Sequence, residues 1–283
     1  MPHTLTNDSY GKWDVRLTKV TRLPDRHELK ELSVNVLLRG EFADTYRTGD
    51  NSKIIATDSM KNTVYVLAKK HPIASIESFA AALAEHFVTK YPQVEAAQIV
   101  VWEKAWSRFS RDDRPHPHAF VAGSAERRRC MITNIKGQVG YMAGTDDLLV
   151  LKTTDSAFAG FVRDEFTTLA DTDDRIFATS VRALWDYGYP SGDEDWNAHY
   201  AAARQALLDT FAGHMSLSVQ QTLYAMGEAV LARCPLVQSV EITMPNQHRI
   251  PFNFAPFGLT NDNDIFVPID EPCGMIRGTI KRE

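Results

Sequence analysis

Apolar and polar positions alternate near the start of the chain. In "KWDVRLTKVTR" the apolar stripe is Trp13, Val15, Leu17 and, after Lys19 is skipped, Val20; in "LKELSVNVLLRGEF" it is Leu32, Val34 and Val36. A period of two puts such residues on one face, so both segments predict half-buried strands. The stretch "NSKIIATDSMKNTVY" then runs apolar through Ile54, Ile55 and Ala56 and stops at Thr57-Asp58. It predicts a buried strand meeting a helix near Ser59, with Thr57-Asp58 as the cap. In "ASIESFAAALAEHFVTKY" the period lengthens, and Ile76, Phe79, Ala80, Leu83 and Phe87 share one helical face. Past Pro92, "AAQIVVWEKAWSRF" and "AFVAGSAERRRCMITNIKG" return to strand.

The second half repeats this order. "GTDDLLVLKTT" and "RIFATSVRALWDYG" read as strands. "DWNAHYAAARQALLDTFAGHM" is helical, with Trp196, Tyr200, Ala203, Leu207 and Phe211 on one stripe, and so is "SVQQTLYAMGEAVLARC", with Val219, Leu223, Met226 and Val230 in step. "VQSVEITMPNQHRIPF" and "GMIRGTIKRE" close as strands. Strand-strand-helix-helix-strand-strand, given twice, predicts an α+β protein with antiparallel sheets and helices packed on one face. The boundary is expected between Gly137 and Gly144, dividing the chain into 1–138 and 139–283. A sheet covered on one side is expected to need partners, so oligomers with sites where subunits meet are anticipated.

Composition narrows the function classes. Of the 283 residues, 44% are hydrophobic and 24% charged, as in soluble globular proteins, and the net charge of −5 argues against a general nucleic-acid surface. The basic run "ERRRC", Arg127 to Arg129, is too short to change this and reads as a solvated strand face. Cys130, Cys234 and Cys273 are far apart and form no C-x-x-C, so neither a disulfide framework nor a zinc site is suggested. There is no signal-peptide pattern, no apolar run long enough to span a bilayer and no S-K-L-type ending, so a cytoplasmic location without membrane contact is expected. The dinucleotide and P-loop glycine patterns are missing too.

Six segments together carry more information: "YGKWDV", "IIATDSMKNTVY", "KTTDSAFAGFVRDEFTTL", "DRIFATSV", "SVQQTLYAMGE" and "MPNQHRIPFN". In this order and at these separations they closely resemble the urate oxidase (uricase) family, over nearly the whole chain. The resemblance implies tandem tunnelling-fold (T-fold) domains. It also implies cofactor-free oxidation of urate by O2 to 5-hydroxyisourate with release of hydrogen peroxide. A homotetramer with active sites at subunit interfaces would follow. Lys12 matches the lysine of "YGK", Thr57 the threonine of "ATD" and His248 the histidine of "PN-x-H", the group implied to relay protons. Asp58, Phe158, Arg175, Val219, Gln220 and Asn246 match the positions that hold the purine and the dioxygen, with Thr57 and Asn246 on the oxygen side. Gln247 lies between Asn246 and His248, and the "RPHPHAF" loop leads into a stretch of this chain's own.

The residue chemistry agrees. Urate is a flat anion, and Arg175 offers a planar, permanently charged fork of donors, although a surface ion pair with Asp173 or Asp174 is its plainer use. Gln220 donates and accepts side by side at the start of a predicted helix, where the dipole favours an anion. Phe158 can stack on a purine face or fill a core. Asn246 can orient a small polar molecule or simply follow Pro245 in a turn. His248 titrates near neutrality. Lys12 lies opposite the Trp13 face, where exposure is the ordinary fate; desolvated, it would become a base. His116 and His118 in "HPH" have no third ligand nearby, so no metal site is expected. The rival readings are a non-catalytic purine- or pterin-binding tunnelling-fold protein and a zinc-dependent relative, the latter lacking its histidine cluster.

Overall fold

The predicted stripes become strands, with one break near the start. The computed structural model describes residues 3–283. Strand β1 (Tyr10–Arg22) pairs antiparallel with β2 (His27–Gly40), setting Val15 opposite Val34 and Leu17 opposite Leu32. The register slips between Lys12 and Val15, and Asp14 adopts φ 53°. This bulge turns Trp13 out to 54% exposure while Val15 is buried, so the buried stripe begins at Val15 and not at Trp13. Val34, Val36 and Leu38 of β2 are fully buried, as a period of two requires.

Strands β3 (Val94–Arg111) and β4 (Arg114–Ile135) form a long hairpin closed at Arg111 and Arg114. "RPHPHAF", expected as a loop, is therefore strand. Strands β5 (Gln138–Lys152), β6 (Phe177–Gly188), β7 (Ser239–Pro251) and β8 (Phe266–Lys281) follow. All eight are hydrogen-bonded in chain order in one antiparallel sheet. Its helices are α1 (Ala43–Arg47), α2 (Thr57–Lys70), α3 (Ile76–Lys90), α4 (Trp196–Gly213) and α5 (Val219–Arg233). The predicted apolar faces are the buried ones: Phe79, Leu83 and Phe87 on α3, and Leu223, Met226 and Val230 on α5. Helix α5 lies so close to β8 that a Cβ on Gly227 would fall 2.5 Å from the δ-carbon of Ile280. The short α1 and a 3-10 turn at Ala255–Phe257 are too brief to leave a periodic signal.

Other expectations fail. Residues 51–56 are loop, not strand, and α2 begins at Thr57, with Ala56 as the cap residue and no side-chain cap bond. Thr57 and Asp58 lie inside the first turn: the Asp58 carboxylate accepts from Lys61 (2.5 Å) and Asn62 (3.0 Å) in place of backbone amides. The "ERRRC" run is only in part a solvated face: Arg127 is exposed, but Arg128 turns inward. The Arg128 side chain is 10% exposed and donates to Glu77 of α3 (2.7 Å), itself 1% exposed, to Asn197 (2.7 Å) and to the Trp196 carbonyl (3.1 Å). A buried carboxylate attracts a guanidinium inward because an unpaired buried charge is far costlier.

Contacts divide the chain into one unit of residues 1–144 with 186–200 and another of 145–185 with 201–283. Within each unit the same small parts recur. Helices α3 and α5 are both 15 residues long, capped by Ser75 and Ser218, whose side chains accept from Ser78 N and Gln221 N. Four residues before each cap is a histidine, His71 or His214. Its carbonyl receives a lysine ammonium from a strand, Lys19 of β1 or Lys152 of β5.

Candidate functional site

The half-buried Arg175 is the centre of the site. It sits at the end of the long connection 153–176, just before β6. That connection has no periodicity, so other bonds hold it. Asp155 turns the chain at φ 57°. Ser156 then forms a parallel bridge with Ser216: Ser216 N donates to Asp155 O (2.9 Å), and Ala157 N donates to Ser216 O (2.7 Å). Phe158 and Thr172 exchange backbone bonds of 2.8 and 3.0 Å, which closes the connection on itself. Phe158 stacks on Phe161 at 4.9 Å and 9°. The Arg175 guanidinium lies 5.2 Å from the centre of the Phe158 ring.

Asn246 and His248 reach the same place from β7. Both line the same pocket, although the pairing with β8 slips between them, from Asn246 opposite Gly274 to His248 opposite Ile269. Asn246 Nδ2 and His248 Nδ1 are 3.4 Å apart. Together Phe158, Thr172, Arg175, Asn246, His248 and Phe266 line much of a cavity of about 330 Å³. Apolar side chains such as Phe158, Ile176, Ile250 and Phe266 share the lining with polar and charged ones, Asn263, Asp171, Asp174 and Arg249 among them.

Asp171, Asp174 and Arg249 also line this pocket, but none of the acids pairs with Arg175: Asp171 is held by Arg163 and Arg249 faces Asp270. Neither Asp173 nor Asp174 pairs with Arg175; Asp174 accepts instead from the Thr154 hydroxyl (3.0 Å). Among the described residues the only hydrogen-bond partner of the Arg175 side chain is the Ser156 hydroxyl, at a long 3.4 Å. Burial depresses the guanidinium pKa from its ordinary value, and no carboxylate raises it again. A desolvated guanidinium without a counter-ion, above an aromatic ring, is suited to a planar anion.

Val219 and Gln220 are the first two residues of α5. Gln220 is exposed, while the Val219 side chain is 4% exposed, so Val219 has mainly its backbone to offer a ligand. The Ser156–Ser216 bridge ties the Phe158 connection to the segment that leads into this helix.

Lys12, Thr57 and Asp58 belong to the other unit. Gly11 allows the "YGK" backbone to press on β2: a Cβ there would lie 1.8 Å from Val36 O. The Tyr10 hydroxyl clamps the loop before α2, accepting from Ile55 N (2.8 Å) and donating to Ile55 O (3.2 Å). Thr57 is thereby fixed two residues on. Hydrogen bonding and the charge of Lys61 hold the exposed Asp58 carboxyl below its usual range, and the charge of Lys12 adds a smaller effect. His116 and His118 touch each other at 4.6 Å, but among the described residues no three His, Cys, Asp or Glu are grouped to hold a metal ion. Reading the sequence alone missed Tyr10, Ser156, Ser216 and Thr222; a serine in a loop carries no periodic signal.

A one-sheet tandem T-fold with an arginine pocket defines a class of small-molecule enzymes. Comparison with known proteins makes it specific. The uricase family model matches residues 8–133 and 141–277. Uricase of Dictyostelium discoideum is 38% identical over 99% of this chain and 98% of its own, and uricase of Aspergillus flavus 39% over 96% and 95%. The crystal structure of uricase from Arthrobacter globiformis superimposes with a TM-score of 0.94 at 39% identity, covering 100% of this chain and 96% of that one. The chain belongs to the uricase family, and so to the oxidoreductases of the urate oxidase type.

Proposed function

We propose that this protein oxidises urate with dioxygen and water to 5-hydroxyisourate, releasing hydrogen peroxide, without a cofactor. The observation that carries the reading is the half-buried Arg175, which has no carboxylate partner, beside Phe158, Asn246 and His248 in one cavity. Arg175 and Gln220 take the edges of the purine anion, Phe158 its face, and Val219 and Asp58 complete its surroundings. Asn246 and Thr57 hold the oxygen. Urate gives two electrons to O2, which takes two protons to become H2O2, while water supplies the hydroxyl at C5. Lys12, through the Thr57 hydroxyl, and His248 move the protons. The protein's part is positioning and proton transfer for a substrate that is itself easily oxidised.

Thr57 and Arg175 lie in different units, and the matched set needs both. In keeping with the uricase resemblance, the proposed site is shared between subunits of a homotetramer whose halves, 1–138 and 139–283, are tandem T-folds. The recurring cap, histidine and lysine of each half support that division. A cytoplasmic setting is proposed with it; among the described residues no helix is long and apolar enough to cross a membrane.

The test follows urate's near-ultraviolet absorbance in aerated and in oxygen-free buffer. Oxygen-dependent loss matched by peroxide is expected. Binding without loss in air would leave a purine-binding protein instead.

A further inference from the structure

We propose that Ser156 is a positioning residue for the pocket, fixing which edge of Arg175 meets the ligand. The inference rests on the reading of Arg175 as the anion-binding group and goes one bond beyond it. A guanidinium can meet a planar anion end-on, through its two terminal nitrogens, or side-on, through Nε and one terminal nitrogen. Here Nε already donates to the Ser156 hydroxyl, at 3.4 Å. The side-on edge is thus engaged, and the two terminal nitrogens remain for the ligand. The Phe158 ring, 5.2 Å from the guanidinium carbon, limits movement in the other direction.

Ser156 can do this because it is itself immobilised. It is fully buried, and so are Ser216 and Thr222. The Ser156–Ser216 bridge holds its backbone. Ser216 is held in turn, since its hydroxyl donates to Ser218 O (3.1 Å) and accepts from the Thr222 hydroxyl (2.8 Å). Thr222 and Ser218 belong to the first turn and cap of α5, so one buried frame carries both Arg175 and the helix start that presents Gln220. The ligand class follows: a planar anion that presents adjacent acceptors to the end of the fork. An anionic heterocycle with an N–C=O edge meets that description.

The experiment compares wild type, Ser156→Ala, Arg175→Lys and the double variant. Urate affinity is measured by equilibrium binding in oxygen-free buffer, with kcat and KM measured in air. Ser156→Ala should weaken binding and raise KM by roughly two- to tenfold, the scale of one hydrogen bond, with kcat within about twofold of wild type. In the Arg175→Lys background the same change should have almost no effect, because lysine has no Nε–H to orient. A merely structural serine would cost the same in both backgrounds, and that result, or unchanged affinity in Ser156→Ala, overturns the proposal. If Ser156→Ala does not fold, Ser156→Cys, with a weaker acceptor, takes its place under the same expectations. If wild type binds no urate, the reading of the pocket has failed before Ser156 is tested.

Discussion

Lys12 is the candidate whose chemistry depends most on its surroundings. A lysine accepts a proton only as the neutral amine, so the proposed relay depends on the groups that the assembled site places around it. Threonine is a poor base alone but passes a proton to a neutral amine bonded to it. Lys12→Met should therefore lower kcat roughly 10²-fold or more while urate affinity changes little. Thr57→Ala should match it, and the double variant should be little worse, because groups acting as one unit are not additive. Rates against pH for the four proteins decide this; near-normal turnover and an unchanged profile in Lys12→Met would hand the base role to His248. At this scale the sequence was informative where residue type and motif coincide. Phe158, Arg175, Asn246 and His248 were all named from it, and the structure brings these four together. It was silent on Ser156 and Tyr10, since a hydroxyl's partner is set by a turn or a distant strand. Lys12 was assigned its face from a stripe that the bulge at Asp14 interrupts.

The Glu77–Arg128 pair belongs to the scale of elements, where α3 meets β4. Burial raises the Glu77 pKa, and Arg128 only partly offsets this. A buried ion pair adds little net stability, but breaking it strands a charge, so Arg128→Met should cost about 3–5 kcal/mol near neutral pH. The pH dependence has a definite sign. An acid whose pKa is higher folded than unfolded binds a proton on folding. Its contribution is full below the unfolded pKa and is lost as pH rises through the folded one. Removing Arg128 pushes the folded value higher still, so the stability deficit of Arg128→Met should be small in acid and grow toward neutrality. Thermal unfolding from pH 5 to pH 8 checks this, and a deficit independent of pH would contradict it. The long strands and helices were legible because their periodicity runs for several turns or pleats. Arg128 was misread for a related reason: alternation inside a charged run looks like a solvent face. Its partner is 51 residues away, where no local pattern points to it. The start of α2 was misplaced because Thr and Asp suit both a cap and a first turn.

At the scale of the whole molecule, the proposed site is divided between the units that hold Thr57 and Arg175. If two copies share each site, inactive Thr57→Ala and Arg175→Ala proteins mixed under subunit-exchange conditions should recover activity, since some interfaces receive both native residues. No recovery despite demonstrated exchange would place the whole site within one chain. The duplication was legible as a repeated element order, but the matching of cap, histidine and lysine in each half was not, because the lysine and histidine are joined only by folding. One further feature governs how such a chain behaves when it is handled. Among the described residues the strand order starts at β1 and stops at β8, so one copy by itself leaves two outer strands, 13 and 16 residues long, with no neighbouring strand on one side. Along each margin, outward amides and carbonyls are templates for any extended peptide they meet. A solitary copy is therefore adhesive at both ends. Dilution parts associated copies by mass action, and when such copies are concentrated again, pairing through a wrong edge competes with correct reassembly. Activity lost in weak solutions would then come from the parting of copies that share a site, and its recovery on concentration would depend on which edges meet first.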